Sequence, residues 1–218
     1  MTTPVAISAV LWDFGGVITS SPFEAFSRFE AERGLPNDFI RSVNTINAND
    51  NAWAKFERSD IDAAAFSDLF RAEALALGHD VHGHEVLALL EGELRPQMVA
   101  ALRSLKRRYN IACLTNNVRS GAGAGMNRSP QRATQVAEVM ALFTAVFESS
   151  KVGVRKPEPR FYEIACETLG IEPKQAVYLD DLGINLKPAK ALGMRTIKVV
   201  GPDQALSDLE QILGHPIR

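Results

Sequence analysis

The chain of 218 residues has little of what marks the specialised classes of protein. Its two cysteines, Cys113 and Cys166, are too few for the disulfide framework of a small secreted protein. No stretch approaches the ~20 consecutive apolar residues that a membrane-spanning helix needs. The first residues, Met-Thr-Thr-Pro-Val, lack the charged start and apolar body of a signal peptide. We therefore expect a cytoplasmic protein with reduced thiols.

An excess of charge of either sign is also missing. The chain has 24 Lys and Arg residues against 26 Asp and Glu residues, which gives a formal charge of −2. Such a balance offers no electrostatic basis for binding nucleic acid or the surface of a membrane.

What the sequence does contain is a regular alternation of short apolar runs with helical patterns. The apolar runs predict strands at about 7–12, 110–114, 145–148, 176–179 and 195–199. Helices are predicted before and between the later strands, at 96–107, 131–142, 159–169, 185–192 and 203–213. Strands that alternate with helices imply right-handed crossovers and a parallel sheet with helices on both faces. The expected fold class is therefore α/β.

One long segment near the start of the chain differs from the rest because it shows no strand-like alternation. Its helical patterns cover 22–33, 37–47, 52–58, 61–77 and 82–91. We therefore predict an inserted all-α cap over residues 21–93 and an α/β core formed by residues 1–20 and 94–218. Small and polar residues at 119–125 predict a flexible loop within the core.

Polar residues stand where three of the predicted strands end. Asp13, Thr115 and the pair Asp180-Asp181 follow apolar runs that are typical of strands buried on both faces. Because ligands bind beyond the carboxyl ends of the strands in such a sheet, we expect these side chains to meet at one edge. Lys156 offers a basic side chain that could join them. The sequence therefore predicts a site at this edge.

Most of these residues have a chemical and a structural interpretation. A carboxylate such as that of Asp13 can attack phosphorus and form an aspartyl-phosphate, although a turn from Asp into Gly15 and Gly16 explains it at least as well. The hydroxyl of Thr115 and the amide of Asn116 can donate to phosphate oxygens, or they can cap a helix. Neither segment decides between the two interpretations by itself.

The adjacent pair Asp180-Asp181 is the most informative of these segments. Two neighbouring carboxylates repel each other unless a cation compensates their charge. Mg²⁺ meets that need, because it is a hard ion that one or two carboxylates typically hold together with substrate phosphate. The structural alternative is a helix N-cap and its neighbour. For Lys156 the structural alternative is an exposed lysine in a loop.

In their order along the chain, the four segments resemble the four motifs of the haloacid dehalogenase-like (HAD) hydrolase superfamily. The resemblance covers essentially the whole chain, and the helical insert resembles the cap of the first subfamily. The segments are similar to the N-terminal phosphatase domain of soluble epoxide hydrolases, and to a related domain in some acyl-CoA dehydrogenase family members. The segments that carry this closer similarity are 13–17, 152–159 and 178–189.

The resemblance implies a Rossmann-like, three-layer parallel core with an inserted all-α cap. It also implies a Mg²⁺-dependent phosphatase that acts on a small phosphate ester, as a monomer or a homodimer. Asp13 would be the nucleophile that forms the aspartyl-phosphate. Asp180 would orient Lys156 or a metal-bound water, with direct ligation of the metal as a further option.

The same resemblance supplies a metal shell and a phosphate site. The carboxylates of Asp13 and Asp181 and the backbone carbonyl of Gly15 would hold the Mg²⁺. Thr115 and Asn116 would bind the phosphoryl oxygens. Such a site works by positioning the phosphoryl group and neutralising its charge, which is most of what phosphoryl transfer requires.

One position departs from the pattern of the family. Its phosphatases usually have a second Asp two residues after the nucleophile, which acts as general acid and then as general base, and here that residue is Gly15. Loss of acid–base assistance typically costs roughly 10²–10⁴-fold in rate. Three explanations stay open: a substrate with a good leaving group such as a sugar 1-phosphate, an acid supplied by the cap, or little phosphatase activity.

Other activities remain open at this stage. The 2-haloacid dehalogenases also lack the second Asp, but they need no metal and usually lack the acidic pair. A phosphonatase needs a cap lysine for a Schiff base, and Lys55 is the only lysine between Asp13 and Lys106. Arg58 is a cap residue that could face the substrate. The last alternative is a non-catalytic binding module, which Gly15 alone supports.

Overall fold

The computed structural model of the chain describes residues 5–58, 60–90, 92–117 and 130–217. Its strands are β1 Ala9–Trp12, β2 Asn110–Thr115, β3 Ala145–Glu148, β4 Ala176–Asp180 and β5 Arg195–Lys198. They form one parallel sheet in the order β3-β2-β1-β4-β5. The chain therefore builds outward from β1 in both directions, and the predicted α/β fold with a parallel sheet is confirmed.

Eleven helices accompany the sheet in the described part of the chain. They are α1 Pro22–Arg33, α2 Phe39–Thr45, α3 Ala52–Glu57, α4 Ala63–Ala76, α5 Gly83–Ala88, α6 Pro96–Leu105, α7 Pro130–Met140, α8 Ser149–Val152, α9 Pro159–Leu169, α10 Gly183–Ala191 and α11 Pro202–Leu213. A single 3-10 turn over Pro173–Gln175 leads into β4. None of the described helices has the length and apolar character needed to cross a bilayer.

The sheet is buried on both faces, as its continuous apolar runs predict. Side chains alternate between the faces, so Val10 and Trp12 of β1 pack into one apolar cluster with residues of α6, α7 and α11. Ala9 and Leu11 point the other way and pack with residues of α9 and α10. This arrangement gives the three layers of the core.

Helices α1 to α5 share a separate apolar cluster that contains no residue of the sheet. Phe66 of α4 lies at its centre, with ring centroids 4.7 Å from Phe56, 5.6 Å from Phe70 and 5.7 Å from Trp53. This aromatic packing gives the helical segment an apolar interior of its own. The division of the chain into a core of 1–20 and 94–218 and a cap of 21–93 stays a prediction.

The two segments that connect this helical part to the sheet run side by side. Thr19 and Leu94 form an antiparallel bridge. The backbone N–H of Ser20 donates to the carbonyl of Glu93 at 2.8 Å, and the N–H of Arg95 donates to the carbonyl of Ile18 at 2.9 Å. The chain therefore leaves and re-enters the core at one place.

Several element boundaries differ from the predicted ones. Helix α10 begins at Gly183 and not at 185, because Asp180 Oδ1 accepts the N–H of Leu182 at 2.7 Å and turns the chain directly after β4. The four-residue helix α8 is absent from the prediction. The predicted loop at 119–125 lies outside the described residues.

Candidate active site

The structure brings the predicted polar residues together at one edge of the sheet. Asp13 follows β1 directly, Thr115 is the last residue of β2, and Asp180 is the last residue of β4. Carboxylate oxygens of Asp13, Asp180 and Asp181 lie within 4.8 Å of one another. The site thus forms where strand order reverses, between β1 and β4, which is where ligands bind in open α/β sheets.

Lys156 joins two of these carboxylates. Its Nζ lies 2.8 Å from Asp13 Oδ2 and 3.0 Å from Asp180 Oδ2. The side chain is 2% exposed, so the interpretation of Lys156 as an exposed loop lysine is wrong. A buried ammonium between two carboxylates is held in place by both, and it offsets part of their charge.

Asp180 is fully buried and surrounded by hydrogen-bond donors. Its Oδ2 accepts from Lys156 Nζ and from the hydroxyl of Tyr178, and the amide of Asn185 donates to it at 3.0 Å. Its Oδ1 accepts the N–H of Leu182. These contacts fix the carboxylate of Asp180 beside Lys156.

Asp181 lies beside the loop that follows β1. Ser21 Oγ donates to Asp181 Oδ2 at 3.2 Å. Gly16 has a φ of +75°, and a Cβ atom there would lie 2.1 Å from Asp181 Oδ2. This position therefore needs glycine both for its left-handed backbone and for the close approach of the carboxylate.

The electrostatics of the site follow from burial and from the crowding of charge. Burial raises the pKa of Asp13 well above its usual value, and Lys156 opposes that rise. Burial and the charge of Asp180 raise the pKa of Asp181 to about 6. Burial alone would lower the pKa of Lys156, but Asp13 and Asp180 outweigh it and raise that pKa. Three carboxylates against one ammonium leave an excess of negative charge, which favours a cation.

Thr115 and Asn116 both line the cavity above the carboxylates. The side chain of Asn116 is engaged, because its Nδ2 donates to the carbonyl of Lys156 at 3.0 Å and its Oδ1 accepts the N–H of Lys156 at 2.9 Å. Asn117 turns away from the cavity and binds Glu148 and Ser150. The amide of Asn116 therefore holds the segment that carries the lysine.

The cavity over these residues has a volume of about 170 Å³ and is walled by both the sheet edge and helices α1 and α3. Pro22, Phe23, Trp53 and Glu57 form the helical wall. A neighbouring cavity of about 280 Å³ shares these four residues and is lined mainly by apolar side chains. A ligand bound at Asp13 therefore has apolar space beside it.

Two cap residues singled out from the sequence lie elsewhere. Lys55 pairs with Asp50 at 3.4 Å, and Arg58 pairs with Asp60 at 2.9 Å. Neither residue lines the cavity. Among the described residues of the cap, the charged one that lines the cavity is Glu57, which forms an ion pair with Arg155 of the loop before α9.

Known proteins are similar to this chain in sequence and in fold. The family model of haloacid dehalogenase-like hydrolases matches residues 7–193. The chain belongs to this family. Its identification from the motifs is thereby confirmed.

Relatives of this HAD-like hydrolase include a phosphatase. The pig protein Bifunctional epoxide hydrolase 2 is 30% identical over 223 residues, which are 96% of this chain and 39% of the pig protein. Phosphatase MT3486 of Mycobacterium tuberculosis (strain CDC 1551) is 28% identical over 205 residues, 89% of this chain and 88% of that protein. The chain spans only 19% to 39% of the length of the first two curated relatives it matches.

A solved structure shows the same fold with ligands present. It is a HAD family enzyme of Bacteroides thetaiotaomicron in complex with magnesium and inorganic phosphate. Its TM-score is 0.58 at 22% sequence identity, and the match covers 88% of this chain and 93% of that chain. At this identity the likeness concerns the fold.

The donor set of this HAD-like hydrolase fits a magnesium ion. Carboxylate oxygens are ligands that Mg²⁺ prefers, and the ion usually keeps several waters beside one or two carboxylates. Asp13 and Asp181 line the cavity, whereas Asp180 does not. The backbone at Gly15 lines it too. The residues present therefore match the predicted metal set better with Asp181 than with Asp180 as a ligand.

Four residues of the site escaped the sequence analysis as functional candidates. Tyr178 and Asn185 hold Asp180, whereas Glu57 lines the cavity and forms an ion pair with Arg155. Tyr178 and Asn185 lie within the segment 178–189 that carries the family resemblance, which is a usable signal. Glu57 and Arg155 are far apart in the sequence, and only the folded chain brings them together.

Proposed function

We propose that this HAD-like hydrolase is a magnesium-dependent phosphatase that hydrolyses a small phosphate monoester through an aspartyl-phosphate on Asp13. The observation that carries the proposal is the contact of Asp13 with Lys156, at 2.8 Å, within a cluster of three carboxylates. A carboxylate at a strand end, facing a cavity and paired with a buried ammonium, has the position of a nucleophile for phosphorus.

The chain's own residues divide the work. Asp13 attacks phosphorus in line, while the charge of Lys156 favours the ionised form of its carboxylate against the effect of burial and offsets the charge of the phosphoryl group. Asp180 holds Lys156 in place. The hydroxyl of Thr115 and the backbone of Asn116 bind the phosphoryl oxygens. Water then hydrolyses the aspartyl-phosphate and releases inorganic phosphate.

Asp13, Asp181 and the carbonyl of Gly15 would hold the magnesium ion. When bound, it supplies positive charge that stabilises the transferring phosphoryl group. Support for this assignment comes from the excess of negative charge in the site. The related fold solved with magnesium and inorganic phosphate adds to it.

Two other hydrolytic activities use the same nucleophile, and the structure offers less for each. Gly15 is compatible with the activity of a 2-haloacid dehalogenase. Such an enzyme needs no metal, however, and without a metal ion the negative charge of Asp181 would be uncompensated. A phosphonatase requires a lysine that can form a Schiff base with substrate. Lys55 pairs with Asp50 and does not line the cavity.

Phosphate release from a panel of phosphate monoesters tests the proposal. We expect turnover with Mg²⁺, none with EDTA, and at least a 10³-fold loss in Asp13→Asn, because no other side chain replaces a covalent nucleophile. The matched control is Asp68→Asn, which changes an exposed carboxylate of α4. Turnover that survives in Asp13→Asn, or that ignores EDTA, would contradict the proposal.

A further inference from the structure

Gly15 leaves the proposed reaction without an obvious proton donor. When the bond from phosphorus to the ester oxygen breaks, that oxygen takes the electron pair and leaves as an alkoxide unless a group donates a proton. A Cβ atom on Gly15 would meet no atom of the described residues within 4 Å, so none of their side chains occupies that space. The acid, if the enzyme has one, comes from another wall of the cavity.

Glu57 is the side chain that satisfies this requirement. Of the described residues that line the cavity, four carry side chains with acidic or basic groups: Asp13, Glu57, Lys156 and Asp181. The other three are occupied as nucleophile, counter-ion and metal ligand. Glu57 is the remaining one, and its side chain is 16% exposed.

The direction of the reaction also points to Glu57. In-line attack by Asp13 places the leaving oxygen on the side of phosphorus opposite to Asp13. Asp13 belongs to the floor of the cavity at the end of β1, whereas Glu57 is the last residue of α3 in the helical wall. The leaving oxygen therefore faces away from the sheet edge, into the cavity that Glu57 also lines.

Burial and Arg155 act on the pKa of Glu57 in opposite directions. Burial raises the pKa of Glu57, while the positive charges of Arg155 and Lys156 oppose that rise. The ion pair between Glu57 and Arg155 stabilises the carboxylate that remains after the proton has been given away. The ion pair also ties the Glu57 side chain to the loop that carries Lys156, because Arg155 directly precedes Lys156 in the sequence.

We infer that Glu57 is the general acid and then the general base of the proposed phosphatase reaction, in place of the Asp that Gly15 replaces. This inference rests on the proposed function. In the first step a carboxylate oxygen of Asp13 bonds to phosphorus, the bond to the ester oxygen breaks, and Glu57 gives that oxygen its proton. In the second step the Glu57 carboxylate takes a proton from water as the water oxygen attacks phosphorus. The electron pair of the breaking bond returns to Asp13, and inorganic phosphate leaves.

The test compares two phosphate esters that differ in their need for an acid. p-Nitrophenyl phosphate releases a stabilised phenolate, whereas a simple alkyl phosphate must release an alkoxide. We expect Glu57→Gln to lower kcat/KM for the alkyl ester roughly 10²–10⁴-fold, and that for the nitrophenyl ester less than about tenfold. A merely structural role of Glu57 would lower both esters equally.

Glu73→Gln is the matched control. It makes the same change at a partly buried carboxylate of α4 that accepts the N–H of Ala52 at 2.8 Å and does not line the cavity. Its two rates should stay within about twofold of wild type, and thermal unfolding should show that both variants are folded. Equal losses on both esters in Glu57→Gln, or no loss on either, would overturn the inference. If the wild type hydrolyses neither ester with Mg²⁺, the proposed function fails, and the inference fails with it.

Discussion

Asp180 and Asp181 are neighbours in the sequence, but the fold gives their carboxylates different surroundings. Asp180 is fully buried and receives hydrogen bonds from Lys156, Tyr178 and Asn185. Asp181 lines the cavity and accepts a hydrogen bond from Ser21. Removing one member of a buried pair of charges destabilises the fold, whereas a carboxylate that faces a cavity is available to a metal ion.

Replacing Asp180 or Asp181 by Asn should therefore affect different properties, the stability of the fold in the first case and the binding of Mg²⁺ in the second. Asp180→Asn turns an amide group toward three donors, and we expect it to lower the free energy of unfolding by roughly 3 kcal/mol. Asp181→Asn should keep the stability of the metal-free protein but abolish its stabilisation by Mg²⁺. For the wild type, Mg²⁺ at about 100-fold its Kd adds roughly 2.7 kcal/mol, a rise in Tm of roughly 5–10 °C.

Thermal unfolding with Mg²⁺ and with EDTA measures both effects in one series. Asp68→Asn should behave like the wild type in each condition. A magnesium-dependent rise in Tm that persists in Asp181→Asn would remove Asp181 from the metal set. If Asp180→Asn unfolds at the wild-type temperature, Asp180 has no positioning role of the kind described here.

Gly15 offers a way to restore the missing acid. A Cβ atom at this position meets no neighbouring atom within 4 Å, and its φ is not in the left-handed region. We expect Gly15→Asp, added to Glu57→Gln, to raise hydrolysis of the alkyl phosphate by about tenfold or more, because acid–base assistance is worth roughly 10²–10⁴-fold when well placed. Initial rates on the alkyl and nitrophenyl esters measure the gain.

Gly15→Asn is the control for that gain, since it has the shape of Asp without a proton to donate. A gain in the Asp variant that the Asn variant lacks indicates acid catalysis. Equal rates in both variants would show that the position contributes only bulk.

At the scale of the elements, the strands were the most predictable part of the fold. Each of β1, β2 and β4 contains a run of apolar residues that is buried on both faces, so the pattern of the sequence and the pattern of burial largely coincide. The polar residue that ends each run is then placed by the topology alone. This is why the cluster of Asp13, Thr115 and Asp180 followed from the sequence.

Short helices and helix ends were less predictable than the strands, because they depend on few residues or on a single side-chain contact. Helix α8 has four residues, Ser149–Val152, too few to show a helical period. The start of α10 depends on Asp180 Oδ1, which accepts the N–H of Leu182. Helix α8 has no periodic signal in the sequence, whereas the start of α10 has a local one in Asp180, which the prediction of a start at 185 did not use.

The helical wall of the cavity also could not be predicted from the sequence. The pattern Trp53-x-x-Phe56 indicates an apolar helix face, and both side chains do pack against Phe66. Glu57 gives no periodic signal at the end of α3, and its partner Arg155 lies in another part of the chain. A single ion pair between distant residues needs the folded structure to be seen.

At the scale of the whole molecule, the sheet and helices α1 to α5 have separate apolar interiors that meet at the active-site cavity. Asp13, Lys156, Asp180 and Asp181 belong to the sheet side, and Glu57 belongs to the helical side. The proposed nucleophile and metal site therefore need only the core, whereas the proposed acid needs the cap. This division can be tested by removing the cap.

The connection between the two parts permits a clean removal. Thr19 pairs with Leu94 in an antiparallel bridge, and Ser20 and Glu93 are joined by a backbone hydrogen bond of 2.8 Å. Joining Ser20 to Glu93 through Asn-Gly would close a two-residue hairpin of a favoured type. We expect this shortened chain to fold, because Ala9–Trp12 and its neighbouring strands keep their packing on both faces.

The shortened chain should unfold cooperatively and keep the rise in Tm with Mg²⁺, since Asp13 and Asp181 are retained. It should hydrolyse p-nitrophenyl phosphate measurably and lose at least 10²-fold in kcat/KM on the alkyl ester, because the acid is gone. Thermal unfolding with and without Mg²⁺ and the two rates measure these outcomes. Loss of cooperative unfolding would mean that core and cap are one folding unit. A shortened chain that keeps full activity on the alkyl ester would show that the cap supplies no acid.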